Sequence, residues 1–68
     1  MSIRLDVANR INSLFSQQSY DAVINYAKQL INEGNEEAIL YYYIFQANHH
    51  LEKDGDALFY IRILTYVF

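Results

Sequence analysis

His49 and His50 are the only histidines in the chain, and with Glu52, Asp54 and Asp56 they make its densest cluster of groups able to bind metal or move protons. Adjacent helical residues point about 100° apart, so the two imidazoles cannot close on one ion as an i, i+4 pair would. His50 and Asp54 do have four-residue spacing. A histidine near a helix C-terminus is nevertheless favoured by the helix dipole with no ligand, and this is the preferred reading. A contact in a binding groove, or modest pH sensitivity, is the better functional role for the pair. Glu33, Glu36, Glu37, Glu52, Asp54 and Asp56 all fall where helices are expected to meet. Capping and dipole compensation explain them more simply than general acid-base catalysis. Ser13, Ser16 and Ser19 lie far in sequence from either histidine and carry no nucleophile signature. Nor does a glycine-rich loop exist to hold phosphate. The expectation is a protein that is not an enzyme, with no catalytic residue, no cofactor and no metal.

Tyr41-Tyr42-Tyr43 spreads three rings over most of a helix circumference. A ring that points away from its own core can bury against a partner while its hydroxyl stays hydrogen-bonded, which enriches tyrosine in binding hot spots. The competing reading packs all three rings between stacked helical hairpins.

The elements that position these groups belong to a chain of 68 residues with 53% apolar composition and a formal charge of −3. One small domain is the most it can form, and such a domain buries only roughly 60% of the surface its unfolded chain exposes. Without cysteine, no disulfide or thiolate zinc site supplements that core. The richness in apolar residues excludes disorder. Arg4, Arg10, Lys28, Lys53 and Arg62 are scattered along the chain, whereas phosphate recognition wants a clustered positive footprint, so nucleic acid is not an expected ligand. No charged leader with an apolar stretch and cleavage pattern opens the chain, which sets a cytoplasmic address as the expectation.

Ser2 is expected to cap a first helix with Ile3, Val7, Ile11, Leu14 and Phe15 on one stripe. Ser19 and Asp21 suit the start of a second, with Val23, Tyr26, Ala27, Leu30 and Ile31 along its apolar side. Gly34 fits a left-handed helix terminus, and Asn35-Glu36-Glu37 a cap with two carboxylates for the next helix. Helix three is expected from about Glu36 to Lys53, apolar around most of its circumference, which places it in the middle of the assembly. Asp54-Gly55-Asp56 reads as a stop, a turn and a cap. The last segment, Ala57 to Phe68, holds one charge and is rich in strand formers. It is read as a fourth helix because three preceding helices offer no strand to pair with, an unpaired edge-seeking strand being the alternative. Its run of about twelve apolar residues is too short for a membrane span, which needs roughly twenty.

No proline occurs, and both glycines sit at expected helix junctions, as short turns between antiparallel helices require. The fold class is therefore all-α: two stacked antiparallel helical hairpins, about 2–33 and 36–68, in a single domain. Asp21-Ala22-Val23-Ile24 and Asp56-Ala57-Leu58-Phe59 share an acidic-Ala-apolar-apolar core at an offset of 35 residues. Tetratricopeptide helix-turn-helix repeats have a period of about 34. From about Ser19 to Leu64 the chain resembles that family. Tyr20-Asp21-Ala22-Val23-Ile24-Asn25-Tyr26-Ala27 is the part most similar, and Glu37-Ala38-Ile39-Leu40-Tyr41-Tyr42-Tyr43-Ile44 is similar to the family's first helix, with Tyr41 at its large aromatic. Phe45 departs from the small residue the family prefers, Asn48 from an aromatic, and neither repeat closes with proline. The resemblance implies a protein-binding module with a groove lined by first helices. Very small proteins of this kind include chaperones of bacterial type III secretion, which this chain resembles in size and pattern.

The expected function is a non-enzymatic protein-protein interaction module or chaperone that covers an apolar helix of a partner, by helix-in-groove binding. Tyr42, Gln46 and His49 are expected to face the groove, and Tyr60, Tyr66 and Phe68 to form an exposed end. A homodimer formed through helix four with no separate client is the alternative, and a small acidic inhibitor or immunity-type protein a distant one. Either of the first two makes the protein a hetero- or homo-oligomer.

Overall fold

A computed structural model of the chain describes residues 5–68. It contains four helices: α1 (Leu5–Ser16), α2 (Tyr20–Asn32), α3 (Ala38–His50) and α4 (Asp54–Val67). The expected cap at Ser2 and the stripe position Ile3 lie outside the described residues. The last segment is helical, so the strand alternative falls.

Burial follows the expected stripe of α1, adds Ile24 to that of α2, and in α3 centres on Leu40, Ile44 and Ala47. Val7 and Ile11 of α1, Val23, Ile24 and Ala27 of α2, and Leu40, Ile44 and Ala47 of α3 form one continuous core. Each large aliphatic side chain removed from water there contributes about 1.5–3 kcal/mol. Helix α3 packs on both α2 and α4, the central place that its all-round apolar surface demands. Asn48 is the one buried polar side chain among the described residues, and its amide donates to the Ile44 carbonyl one turn back (3.0 Å). The Cα envelope measures 29 × 29 × 15 Å. A thickness of 15 Å corresponds to two layers of helices, given axes about 8–10 Å apart and a Cα radius near 2.3 Å.

All three junctions use one device. At the end of α1 the Ser19 N–H reaches back to the Leu14 carbonyl (2.9 Å) and the Gln18 N–H to Phe15 (3.0 Å), with Gln18 at φ 60°. At the end of α2, Asn35 reaches Leu30 and Gly34 reaches Ile31 (both 3.0 Å), with Gly34 at φ 100°. At the end of α3, Lys53 reaches Asn48 (2.9 Å) and Glu52 reaches His49 (3.1 Å), with Glu52 at φ 61°. These are Schellman terminations, in which a left-handed residue lets two N–H groups satisfy carbonyls the helix leaves open.

Three expectations need correction. Helix α3 ends at His50 and not Lys53, because the left-handed turn falls at Glu52. Asp54-Gly55-Asp56 is therefore the first turn of α4, where carboxylates meet the positive end of the dipole. Asn35 serves the end of α2, its side-chain amide donating to the Leu30 carbonyl (3.1 Å), while Glu37 holds the cap position of α3.

The first and third junctions are the same turn at two places. Every backbone bond of the α3–α4 turn lies thirty-four positions after its counterpart in the α1–α2 turn, from Gln17–Ser13 and Leu51–Ala47 to Val23–Ser19 and Ala57–Lys53. Ser19 and Lys53, which open the two second helices, have nearly equal backbone angles (φ −86°, ψ 65° and φ −91°, ψ 72°). In sequence the closest echo is offset by 35, pairing Ala22 with Ala57. The backbone pairs Val23 with Ala57 instead, and these two are the buried ones.

Candidate protein-binding surface

The three tyrosines on α3 take three directions. Tyr41 lies against α4, its ring 6.2 Å from Tyr60 and 5.5 Å from Phe68. Tyr43 turns to α1, where its hydroxyl donates to Asn12 (2.5 Å). Tyr42 points outward and is exposed. Tyr42, Phe45, Gln46 and His49 stand at i, i+3, i+4 and i+7, one stripe of the helix. Rings of Tyr42 and Phe45, then of Phe45 and His49, are each 6.3 Å apart, and the Gln46 amide donates to the Tyr42 hydroxyl. The expected groove residues Tyr42, Gln46 and His49 are thus neighbours on one face of α3, joined by Phe45, the large ring that stands where the tetratricopeptide pattern prefers a small residue.

His50 has a different environment from His49. Its imidazole stacks on the Tyr20 ring at 4.7 Å with planes 3° apart and meets the edge of Phe15 at 5.5 Å. Phe15 in turn contacts Tyr20 and Tyr43 at 5.3 and 5.9 Å. This aromatic cluster ties the end of α3 to the α1–α2 turn, so His50, although exposed, makes a contact between the hairpins. Nothing in the local sequence signals it, since Phe15 and His50 are distant in the chain. Among the described residues no group of three or more His, Asp or Glu side chains converges as a metal site would.

The exposed end expected at Tyr60, Tyr66 and Phe68 is found at Tyr66 (84% exposed) and Phe68. Tyr60 is half-buried, with Tyr41 beside it and the Lys28 ammonium 5.9 Å from its ring centre. A groove of about 340 Å³ runs between α2 and α4 at this point, lined by Lys28, Ile31, Tyr41, Phe59, Tyr60 and Ile63 among others. Partial burial, the Glu36 carboxylate and neighbouring Tyr60 push the Tyr41 phenol above its ordinary pKa.

The thirty-four-residue correspondence separates the two ends of the molecule. Ile11, Ile24 and Ala27 are buried between the hairpins, and their counterparts are Phe45, Leu58 and Ile61. Phe45 and Ile61 are half-buried, and Leu58 is 49% exposed. At the other end the order reverses. Leu40, Tyr43, Ile44, Ala47 and His50 of α3 meet the first hairpin, and their counterparts on α1 are Asp6, Asn9, Arg10, Ser13 and Ser16, all exposed and all polar. Apart from the exposed Leu5, the described N-terminal end is polar, whereas at the C-terminal end Phe45, Leu58 and Ile61 form a partly accessible apolar face. On the outside of α4, Phe59 and Tyr66 add exposed rings where α2 has Asn25 and Asn32.

No helix among the described residues is long and apolar enough to cross a membrane. Compared with known proteins, the chain matches no family model, no curated protein and no solved structure.

Proposed function

We propose that this chain is a small, non-enzymatic interaction module of tetratricopeptide-like build, which receives a helix of another chain on its apolar C-terminal end. The observation that carries the reading is the contrast between repeat-related positions: residues buried between hairpins in the first unit have apolar, accessible counterparts in the second. A solenoid buries such a face under its next repeat or closes it with a polar one. The stripe of Tyr42, Phe45, Gln46 and His49 borders this end and supplies the groove side of the contact, with Phe45 common to both. Rigid rings with a polar tip suit that role, since they lose little conformational entropy on binding. Covering an apolar helix of a client, as the small secretion chaperones do, is the same physical act.

The reading is tested with a fluorescent amphipathic helical peptide bearing leucines at i, i+3, i+4 and i+7, titrated into the purified chain. Binding is expected, and Leu58→Glu should weaken it at least about tenfold, the cost of placing a charge in an apolar contact. Circular dichroism of the variant checks that the helices remain. If Leu58→Glu and Phe45→Glu both leave binding unchanged, the end face is not the docking surface.

A further inference from the structure

We infer that the helix received on this end is α4 of a second copy of the same chain, related by a two-fold axis through Leu58. The inference rests on the docking surface proposed above and names its occupant. Two observations select a copy in this arrangement over other occupants.

The first is the charge pattern of the exposed side of α4. Asp54, Leu58 and Arg62 follow one another at four-residue steps, so they share one side of the helix with the charges about 6 Å to either side of the leucine. All three are exposed, and neither charge makes an ion pair among the described residues. An antiparallel copy turned about Leu58 brings Asp54 opposite the partner's Arg62, and Arg62 opposite the partner's Asp54. The pattern is acid, apolar, base, which is its own complement under that rotation. Shifting the axis one turn, to Arg62, would set guanidinium against guanidinium. Charge thus fixes the register as well as the occupant.

The second is the polarity of the opposite end. Head-to-tail stacking of copies would press Phe45, Leu58 and Ile61 onto Asp6, Asn9, Arg10, Ser13 and Ser16 of the next chain. Apolar surface gains nothing there, and polar groups would lose water. Among the described residues, therefore, only the apolar end finds its match on a copy, and the assembly closes at two.

Sedimentation equilibrium on the full chain at concentrations from about 1 to 500 µM brackets the roughly micromolar affinity of a small interface. The wild type is expected to approach twice the 8.0 kDa chain mass. Asp54→Arg and Arg62→Asp should each raise the dissociation constant about tenfold or more, since each sets like charges together twice. Mixing the two variants should restore pairing to within about threefold of wild type, because the mixed pair has both charge contacts again. That recovery also shows that each variant folds. A wild type that pairs, is broken by Leu58→Glu and ignores both charge changes would overturn the two-fold register while leaving the docking face standing. A monomer at every concentration that still binds the helical peptide would overturn self-pairing alone. A monomer that binds no helix would sink both readings.

Discussion

Single residues carry the backbone geometry of this molecule, and the two glycines do opposite things. Gly34 sits at φ 100° with no atom near enough to meet an added Cβ, so a side chain there is opposed by backbone conformation alone. Gly34→Ala should cost about 1–2 kcal/mol. Gly55 also has open space around it but lies in the first turn of α4. Gly55→Ala should stabilise by up to about 1 kcal/mol, because alanine gives up less chain entropy in a helix. Urea unfolding of the two variants checks both signs, and equal effects would contradict the assignment. Tyr41 gives a pH signature. Its phenol is held above the ordinary value of 10.0 chiefly by burial, then by Glu36 and Tyr60. The folded chain therefore holds that proton more tightly than the unfolded one. This contribution to stability is complete below about pH 10 and is lost as pH rises through the folded-state value. Alkaline unfolding of Tyr41→Phe should lack that component; an identical alkaline slope in the variant would show that Tyr41 is not its source.

At the scale of elements, helix count and most of the α1 and α2 stripes were legible because apolar residues recur at helical spacing and Gly34 marks a left-handed position, whereas the all-round apolar surface of α3 hid which of its sides is buried. The other two junctions were harder to read, since Gln18 and Glu52 occupy left-handed backbone without the residue type that advertises it. Asp54-Gly55-Asp56 drew attention as a turn for the opposite reason: it has turn composition and helical conformation. Composition reports what a residue tolerates, whereas the position of a turn is settled by which carbonyls at the helix end are satisfied. It follows that Glu52→Gly, and Gln18→Gly equally, should stabilise by about 0.5–1 kcal/mol by removing the side-chain cost of φ near 60°. Thermal melts would register a rise; a fall would mean the side chains do something for the turn that the backbone geometry does not reveal.

For the molecule as a whole, the terminal apolar segment signalled an uncovered surface, but beyond the exposed Phe59 and Tyr66 its residues divide among different surroundings. Tyr60 goes to the groove beside Lys28, Ala57 to the core, and Leu58 with Ile61 to the open end. Periodicity alone does not make that division, because it depends on where α2 and α3 lie around α4. The stacking of His50 on Tyr20 was equally out of reach, being a contact between residues thirty positions apart. The sequence echo and the two matching turns differ by one residue for a related reason: residue similarity pairs Ala22 with Ala57, while the turn bonds pair Val23 with Ala57, and those two are buried.

One property of the architecture bears on time rather than on energy. Packing runs chiefly between helices consecutive in the chain, α1 on α2, α2 on α3 and α3 on α4, and the turns that join them are short and closed by their own backbone. Chains built from such local contacts fold within roughly microseconds to milliseconds. Two-chain association at ordinary rates of about 10⁵–10⁷ M⁻¹ s⁻¹ is slower than that at micromolar concentration. After dilution from denaturant, helical signal should therefore return first, independent of concentration, and the two-fold pair proposed above should follow with a half-time that shortens as the chain is made more concentrated.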